Sequence, residues 1–362
     1  MLASTDKIST RQAVIFFIAA QGSAVIRILP KYASEAVGRA GWLAPLFSVL
    51  PFICLVYIMQ SLFKNQRDAG LGELYIKVFG NIAGRAILAF CLVWFMILMG
   101  LYTRYFTERI LSSLLPNTTP TFFYITMLAA VFFAVRGGIV NIARTVEFLF
   151  YLFLVVYISL FLVSLPNVQI INLLPVTHFD IIPLTRTIKP FLGIWGYFSL
   201  IFFFGDKIND KEHIRRFGLQ AALLLTITGM MVLIQTIGVY GHTVIRRIPL
   251  PYFVSIKSIS LLETIERIES AALAFWVFID FAVISFFLYL SVSVIKSLFS
   301  LSEVKYFTSP AALFAFVFAF YLGINRLELE QFSNYIGLPI NIFVCFIMPA
   351  VLLAVGKIRK VI

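Results

Sequence analysis

The chain has 362 residues, of which 61% are hydrophobic and only 13% charged, and its mean hydropathy is +0.97. Soluble domains carry about 25% charged residues, so an ordinary soluble globular protein is excluded. The net charge of +12 does not point to nucleic acid, because membrane proteins gather Lys and Arg in their short cytoplasmic loops.

Apolar runs of about 18 to 25 residues, each enough to cross about 30 Å of hydrocarbon, recur along the whole chain. They predict an all-α polytopic membrane protein of about ten transmembrane helices, a single integral membrane domain over residues 1–362. The first five spans are expected at residues 11–29, 41–62, 83–106, 120–135 and 142–165. After a longer polar connection come 187–204, 217–240, 271–295, 307–323 and 337–355. Ser9 followed by Gln12 is a capping-box pattern at the start of the first helix. Pro120 and Pro310 fall in first turns, where a missing N–H costs little. No small-residue cleavage site follows the first apolar segment, which is expected to be retained. The longest connection, residues 241–270, ends in "SLLETIERIESAAL", whose apolar residues Leu261, Leu262, Ile265 and Ile268 predict an amphipathic surface helix. Placing the N-terminus inside puts most of the basic residues, among them Lys7, Arg11, Lys64, Arg85, Arg136, Arg215 and Lys357, on the cytoplasmic side. Both termini are then cytoplasmic.

No phosphate loop, nucleophile elbow, or paired His or Cys at ligand spacing is present, so neither catalysis nor a metal or cofactor is expected. Cys54, Cys91 and Cys345 fall inside predicted spans and read as buried small hydrophobes. Two interruptions stand out. The first span carries Gln21, Gly22 and Ser23 near its middle, and the sixth, "TIKPFLGIWGYFSLIFFFGD", carries Gly193 and Gly196 around Ile194 and Trp195. If ten spans divide five plus five, into residues 1–165 and 187–355, these are the first helices of each half. Glycine-interrupted helices in corresponding positions are a pointer to a transporter-type site. Breaking the helix frees N–H groups that suit a carboxylate and carbonyls that suit a cation. Glycine in membrane helices also serves simple close packing, so the packing and binding readings stand side by side.

Asp280 is the only charge in the eighth span. Inserting such a residue costs about 2.5 to 3.5 kcal/mol, so it is expected to face an interior partner or cavity. It reads as a proton carrier, an amine partner or a hydrogen bond to a neighbouring helix. Arg144 with Glu147, and Arg104 with Glu108, are spaced as ion pairs near helix ends. Arg27 lies towards the outer end of the first helix, where it snorkels or guards a site entrance. Tyr102, Trp195 and Tyr197 are candidates for packing a ligand's apolar part.

The stretches "KISTRQAVIFFIAAQGSAVIRILP" and "AGWLAPLFSVL", with "VRGGIVNIARTVEFLF" and "ERIESAALAFW", resemble the B subunits of spore germinant receptors across nearly the full length. That resemblance implies a relative of the amino acid–polyamine–organocation transporters, with an inverted five-plus-five repeat and broken helices 1 and 6. It implies a role in sensing a small nutrient, often an amino acid, beside A and C subunits in the inner membrane of the endospore. By the same resemblance, substrate contacts fall on Gln21, Gly22, Ser23 and Ala24, and the facing break on Gly193, Ile194, Trp195 and Gly196. The fifth span has no central Lys of the kind that replaces sodium in some proton-coupled relatives, and Ser285 is a weak candidate sodium ligand. The alternative function is an active, cation- or proton-coupled amino acid permease.

Overall fold

The computed structural model describes residues 7–66, 68–113, 115–248, 250–257, 268–301, 305–322 and 326–362. All ten expected spans are helical. They are α1 (Thr10–Ala36), α2 (Ala44–Phe63), α4 (Asn81–Ser113), α5 (Pro120–Arg136) and α6 (Ile139–Ser164). After these come α7 (Ile188–Lys207), α8 (Ile214–Tyr240), α9 (Ile268–Phe299), α10 (Thr308–Tyr321) and α11 (Arg326–Ile358). Eight of them are long and apolar enough to cross a membrane, with α5 and α10 as shorter apolar helices. Among the short helices of the described residues that the apolar runs do not predict, the longest joins the second and third spans. This helix, α3 (Leu71–Phe79), buries Leu71, Leu74, Tyr75 and Val78 at helical spacing and exposes Lys77. The expected amphipathic helix lies largely outside the described residues, and α9 begins at Ile268.

Local sequence explains the helix starts. The Ser9 side chain accepts from the Gln12 backbone N–H while Gln12 returns to the Ser9 N–H, each at 3.1 Å, which satisfies two otherwise free donors. Ahead of this cap, Ile8 makes a parallel bridge to Ile208. The Thr10 N–H donates to Asp210 Oδ1 at 3.0 Å, and the Thr10 hydroxyl reaches the Asn209 carbonyl at 2.9 Å. The start of α1 is thereby pinned to the connection that follows α7.

The expected break in the first span is not present. Thr10–Ala36 is one helix of 27 residues that runs through Gln21–Ser23 and past Pro30. Gly22 serves close packing: a Cβ there would lie 3.2 Å from Ile279 Cγ2 of α9. The sixth span does change character. Its α-helix stops at Trp195, resumes over Tyr197–Leu200, and tightens to 3₁₀ over Ile201–Lys207 with a kink at Phe204. Its glycines also pack closely, since both Gly193 and Gly196 press on α11. A Cβ on Gly196 would stand 2.5 Å from Cys345 Cβ.

α11 holds two π turns, Ser333–Gly337 and Phe343–Ile347. Proline has no N–H to give the carbonyl four residues back. Pro339 and Pro349 release the carbonyls of Tyr335 and Cys345, each inside a π turn. Such turns are frequent at functional sites.

The core surrounds α1, which packs against α6, α7, α8 and α9. Its midpoint is filled with rings. Phe17 meets Phe52 and Phe198, Phe16 meets Phe286, and Phe287 stacks on Tyr102 at 5.5 Å and meets Tyr197 edge-on at 5.2 Å. Of the cysteines, Cys91 and Cys345 are buried as expected, whereas Cys54 is exposed on the outer face of α2.

Candidate functional site

The unbroken α1 decides how the expected site residues are distributed. At 3.6 residues per turn, consecutive side chains leave a helix in widely different directions. Gly22, Ser23 and Ala24 therefore face three different environments.

Gln21 and Gly22 line a cavity of about 70 Å³ between α1, α6, α8 and α9, and Trp195 of α7 joins them. Ala24 lines a second cavity, of about 50 Å³, with Tyr102, Gly193 and Ile194. The two cavities lie on roughly opposite faces of both α1 and α7. Gly196 lines neither. The ten expected site residues are thus not gathered around one ligand, because α1 and α7 themselves stand between the two cavities.

The second cavity is the more polar. From α1 it takes Arg27 and Tyr32, from α7 Tyr197, and from α11 Ser333, Asn334 and Asn341. Three of its members form a chain: the Trp94 indole donates to Asn341 Oδ1 at 2.9 Å, and Asn341 Nδ2 donates to the Tyr197 hydroxyl at 3.2 Å. That hydroxyl lies 3.0 Å from the hydroxyl of Tyr102. The Arg27 guanidinium lies over the Tyr105 ring, 3.5 Å from its centroid, and pairs with no carboxylate among the described residues. Tyr105 is fixed in turn by donating to the Leu329 carbonyl at 2.8 Å, with Ser333 Oγ also at 2.8 Å. Tyr32 donates to Asn334 Oδ1. The first π turn therefore supplies Ser333, Asn334 and Gly337 to this wall. Above it, Glu330 pairs with Lys31 at 3.2 Å and Arg326 at 3.0 Å.

Ser23 and Asp280 belong to neither cavity. Asp280, 1% exposed, forms an ion pair with Arg109 of α4, which is 4% exposed. Ser23 donates to Asp280 Oδ1 at 2.7 Å and accepts from the Trp276 indole at 3.2 Å. Arg109 also lies 4.2 Å over the Trp276 ring. One buried, charge-balanced cluster thus ties α1, α4 and α9 together. Asp280 does face an interior partner, but that partner is a resident guanidinium. Sequence reasoning missed Arg109 because the third span was ended at residue 106, and α4 runs on to Ser113.

The two expected ion pairs divide. Arg104 and Glu108 pair at 2.7 Å. Glu147 instead accepts from Arg11 at 3.1 Å and Gln12 at 3.0 Å, so it joins α6 to the start of α1 and leaves Arg144 aside.

Helical architecture, membrane-length spans and an interior polar cavity define a multi-pass membrane protein of transporter-like fold. The solved structure of MhsT in complex with L-phenylalanine is similar to it, with a TM-score of 0.70, 14% identity, and coverage of 94% of this chain and 89% of that one. Mhp1, a nucleobase-cation-symport-1 family transporter solved in a closed conformation with bromovinylhydantoin bound, matches with a TM-score of 0.54, 11% identity, and coverage of 94% and 81%. At such identities the likeness is one of fold. The spore germination protein family model matches residues 7–329, and the chain belongs to that family. Spore germination protein KB of Bacillus subtilis (strain 168) is 23% identical over 366 residues, covering 98% of this chain and 95% of the relative.

Proposed function

We propose that this chain is the B-type membrane subunit of a spore germinant receptor, and that it senses a small amino acid in the cavity between α1, α4, α7 and α11. Family membership supports the role in germination. One observation carries the site: the unpaired Arg27 guanidinium, held over Tyr105, opens onto the same cavity as Tyr102, Tyr197, Asn334 and Asn341. A fixed guanidinium in a half-buried setting is suited to a ligand carboxylate, and Leu98, Leu101, Ile194 and Leu338 offer apolar surface to a side chain. A volume of about 50 Å³ amounts to about three to five water-sized positions, which favours the smallest amino acids. The receptor's A and C subunits are the partners that read the occupied state, in the inner membrane of the endospore with both termini on the core side.

The test separates carboxylate recognition from general binding. A charge-assisted hydrogen bond contributes about 1.5 to 3 kcal/mol, or about 10- to 150-fold in affinity. Arg27→Met is expected to weaken the response to L-alanine, or another small amino acid that triggers the wild type, by that factor. The corresponding amino acid amide, already weak in the wild type, loses little further. Equal losses for acid and amide, or no loss for either, reject the assignment. The fold shared with Mhp1, a cation-symport transporter, favours a second reading, active transport, with an amino acid as the cargo proposed here. Saturable, gradient-dependent flux of labelled amino acid into vesicles containing the chain alone would establish that reading, and binding without flux the sensor.

A further inference from the structure

A groove on the outside of the bundle is far larger than the two cavities beside α1. It has a volume of about 470 Å³ and lies between α3, the start of α4 and the second half of α11. Gly84 lets α3 lie directly on α4, since a Cβ there would stand 2.6 Å from Ile76 Cα. Away from α3, the helices α4 and α11 meet through the rings of Phe90 and Phe343, edge to face at 6.3 Å. Between these two contacts a channel is left. Tyr75 and Met348 are its buried members, while Ala86, Phe90, Ile347 and Val351 are exposed, and no charged side chain lines it. Phe343 and Ile347 come from the second π turn. From Phe343 to Val351 the helix rises about 12 Å, most of the roughly 15 Å that one leaflet contributes to the hydrocarbon core. The end of the groove at α3 is basic. Arg359, the residue after α11, donates from Nη1 to the Val78 carbonyl at 2.7 Å, beside Phe79 of the groove wall. Lys357 and Lys360 flank it, and Lys77 and Arg85 are exposed on α3 and α4. None of these five pairs with a carboxylate among the described residues. Glu73, the acid of α3, instead accepts from the Gly70 N–H at its own helix start, at 3.3 Å.

We infer that this groove holds one acyl chain of an anionic phospholipid, whose headgroup rests on Arg359 and its basic neighbours. A lipid tail is as apolar as Leu, so the groove walls supply shape and little preference among lipids. The preference comes from charge, because clustered Lys and Arg at a membrane surface attract anionic headgroups. The guanidinium nitrogens that do not hold Val78 are suited to the phosphate oxygens. A zwitterionic lipid fits the same channel but brings a positive group to a cluster that already lacks an anion. The site is separate from the one proposed for the amino acid.

No Trp lines the groove, so Phe90→Trp places a reporter in its wall. Phosphatidylglycerol and phosphatidylcholine, each brominated midway along one acyl chain, quench tryptophan on contact. Each is added at low mole fraction to the full chain in phosphatidylcholine nanodiscs, and the signal of the chain without the reporter is subtracted. Phosphatidylglycerol is expected to occupy the groove about five- to tenfold more than phosphatidylcholine at equal mole fraction, the share of one net charge beside basic residues. Val155→Trp, on the exposed side of α6, reads ordinary boundary lipid and should give a ratio near one. Arg359→Gln combined with Lys357→Gln should bring the Phe90→Trp ratio close to one. Ala86→Phe, which fills the groove from an exposed position, should do the same with the charges intact. Equal quenching by the two lipids at Phe90→Trp, or a matching preference at Val155→Trp, overturns the proposal. So does a preference that survives the charge variant or the filling variant. Quenching by neither lipid would reserve the groove for a protein helix and overturns it as well. These readouts do not involve the amino acid response, so they stand or fall apart from it.

Discussion

Removing either partner of the Arg109–Asp280 pair should destabilise the bundle severely, whereas removing both should not. Both side chains are buried, at 4% and 1% exposure. Breaking a buried pair leaves one uncompensated charge, which costs about 3–5 kcal/mol, while replacing the whole pair with apolar residues of similar volume is often neutral or stabilising by about 1–4 kcal/mol. Ordinary interhelical hydrogen bonds in membranes average only about 0.6 kcal/mol, so the charge, and not the Ser23 contact, sets the scale. Asp280→Leu and Arg109→Met are each expected to lose at least 3 kcal/mol, and the double variant to return to within about 1 kcal/mol of the wild type. Unfolding midpoints of the purified chain in lipid nanodiscs give the cycle. Single effects that simply add in the double variant would refute the pairing. Asp280→Asn supplies a second check, because it preserves an acceptor for Ser23 but strands the Arg109 charge. Unchanged stability together with an altered pH profile would restore the proton-carrier reading of Asp280.

Two further outcomes follow from packing. Gly196→Val forces a side chain into Cys345 and Phe346 of α11; overpacking of this kind costs about 1–3 kcal/mol, so thermal stability should fall without a selective change in ligand preference. Pro339→Ala restores an N–H for the Tyr335 carbonyl and should convert the π turn at Ser333–Gly337 towards α-helix, turning Asn334 and Ser333 away from the cavity. The amino acid response should weaken while the unfolding midpoint holds or rises, and an unchanged response would remove the π turn from the site.

The helices were legible because apolar runs of membrane length carry their own signal. The short α3 is equally legible, since Leu71, Leu74, Tyr75 and Val78 recur at helical spacing between the second and third spans. The buried cluster was only half legible. A lone Asp in a membrane span demands a partner, but Arg109 lies 171 residues away in sequence, and no local pattern selects it over Arg27 or Arg104. The π turns leave a trace in Pro339 and Pro349, yet proline also kinks helices without creating a cavity. Gly193 and Gly196 were ambiguous in principle: the same missing Cβ serves a ligand, or a neighbouring helix at close range, and here α11 provides the contact.

The continuity of α1 changes what the Gln21–Ala24 stretch can do. In a broken helix, freed backbone groups could all turn to one ligand; in an intact one their N–H and carbonyl groups are spent within the helix, and only side-chain direction remains. Gly22 then belongs to the apolar cavity, Ser23 to the ion-pair cluster, and Ala24 to the polar cavity. A rotation of α1 about its axis would alter all three at once. Arg109 and Asp280, gripping Ser23 from α4 and α9, oppose such a rotation, and the Ile8 bridge and Thr10 contacts to the connection after α7 hold its N-terminal end. A ligand shifts such an element only by binding its two settings unequally. An occupant of either cavity meets that condition by touching a face of α1 that the rotation would carry away.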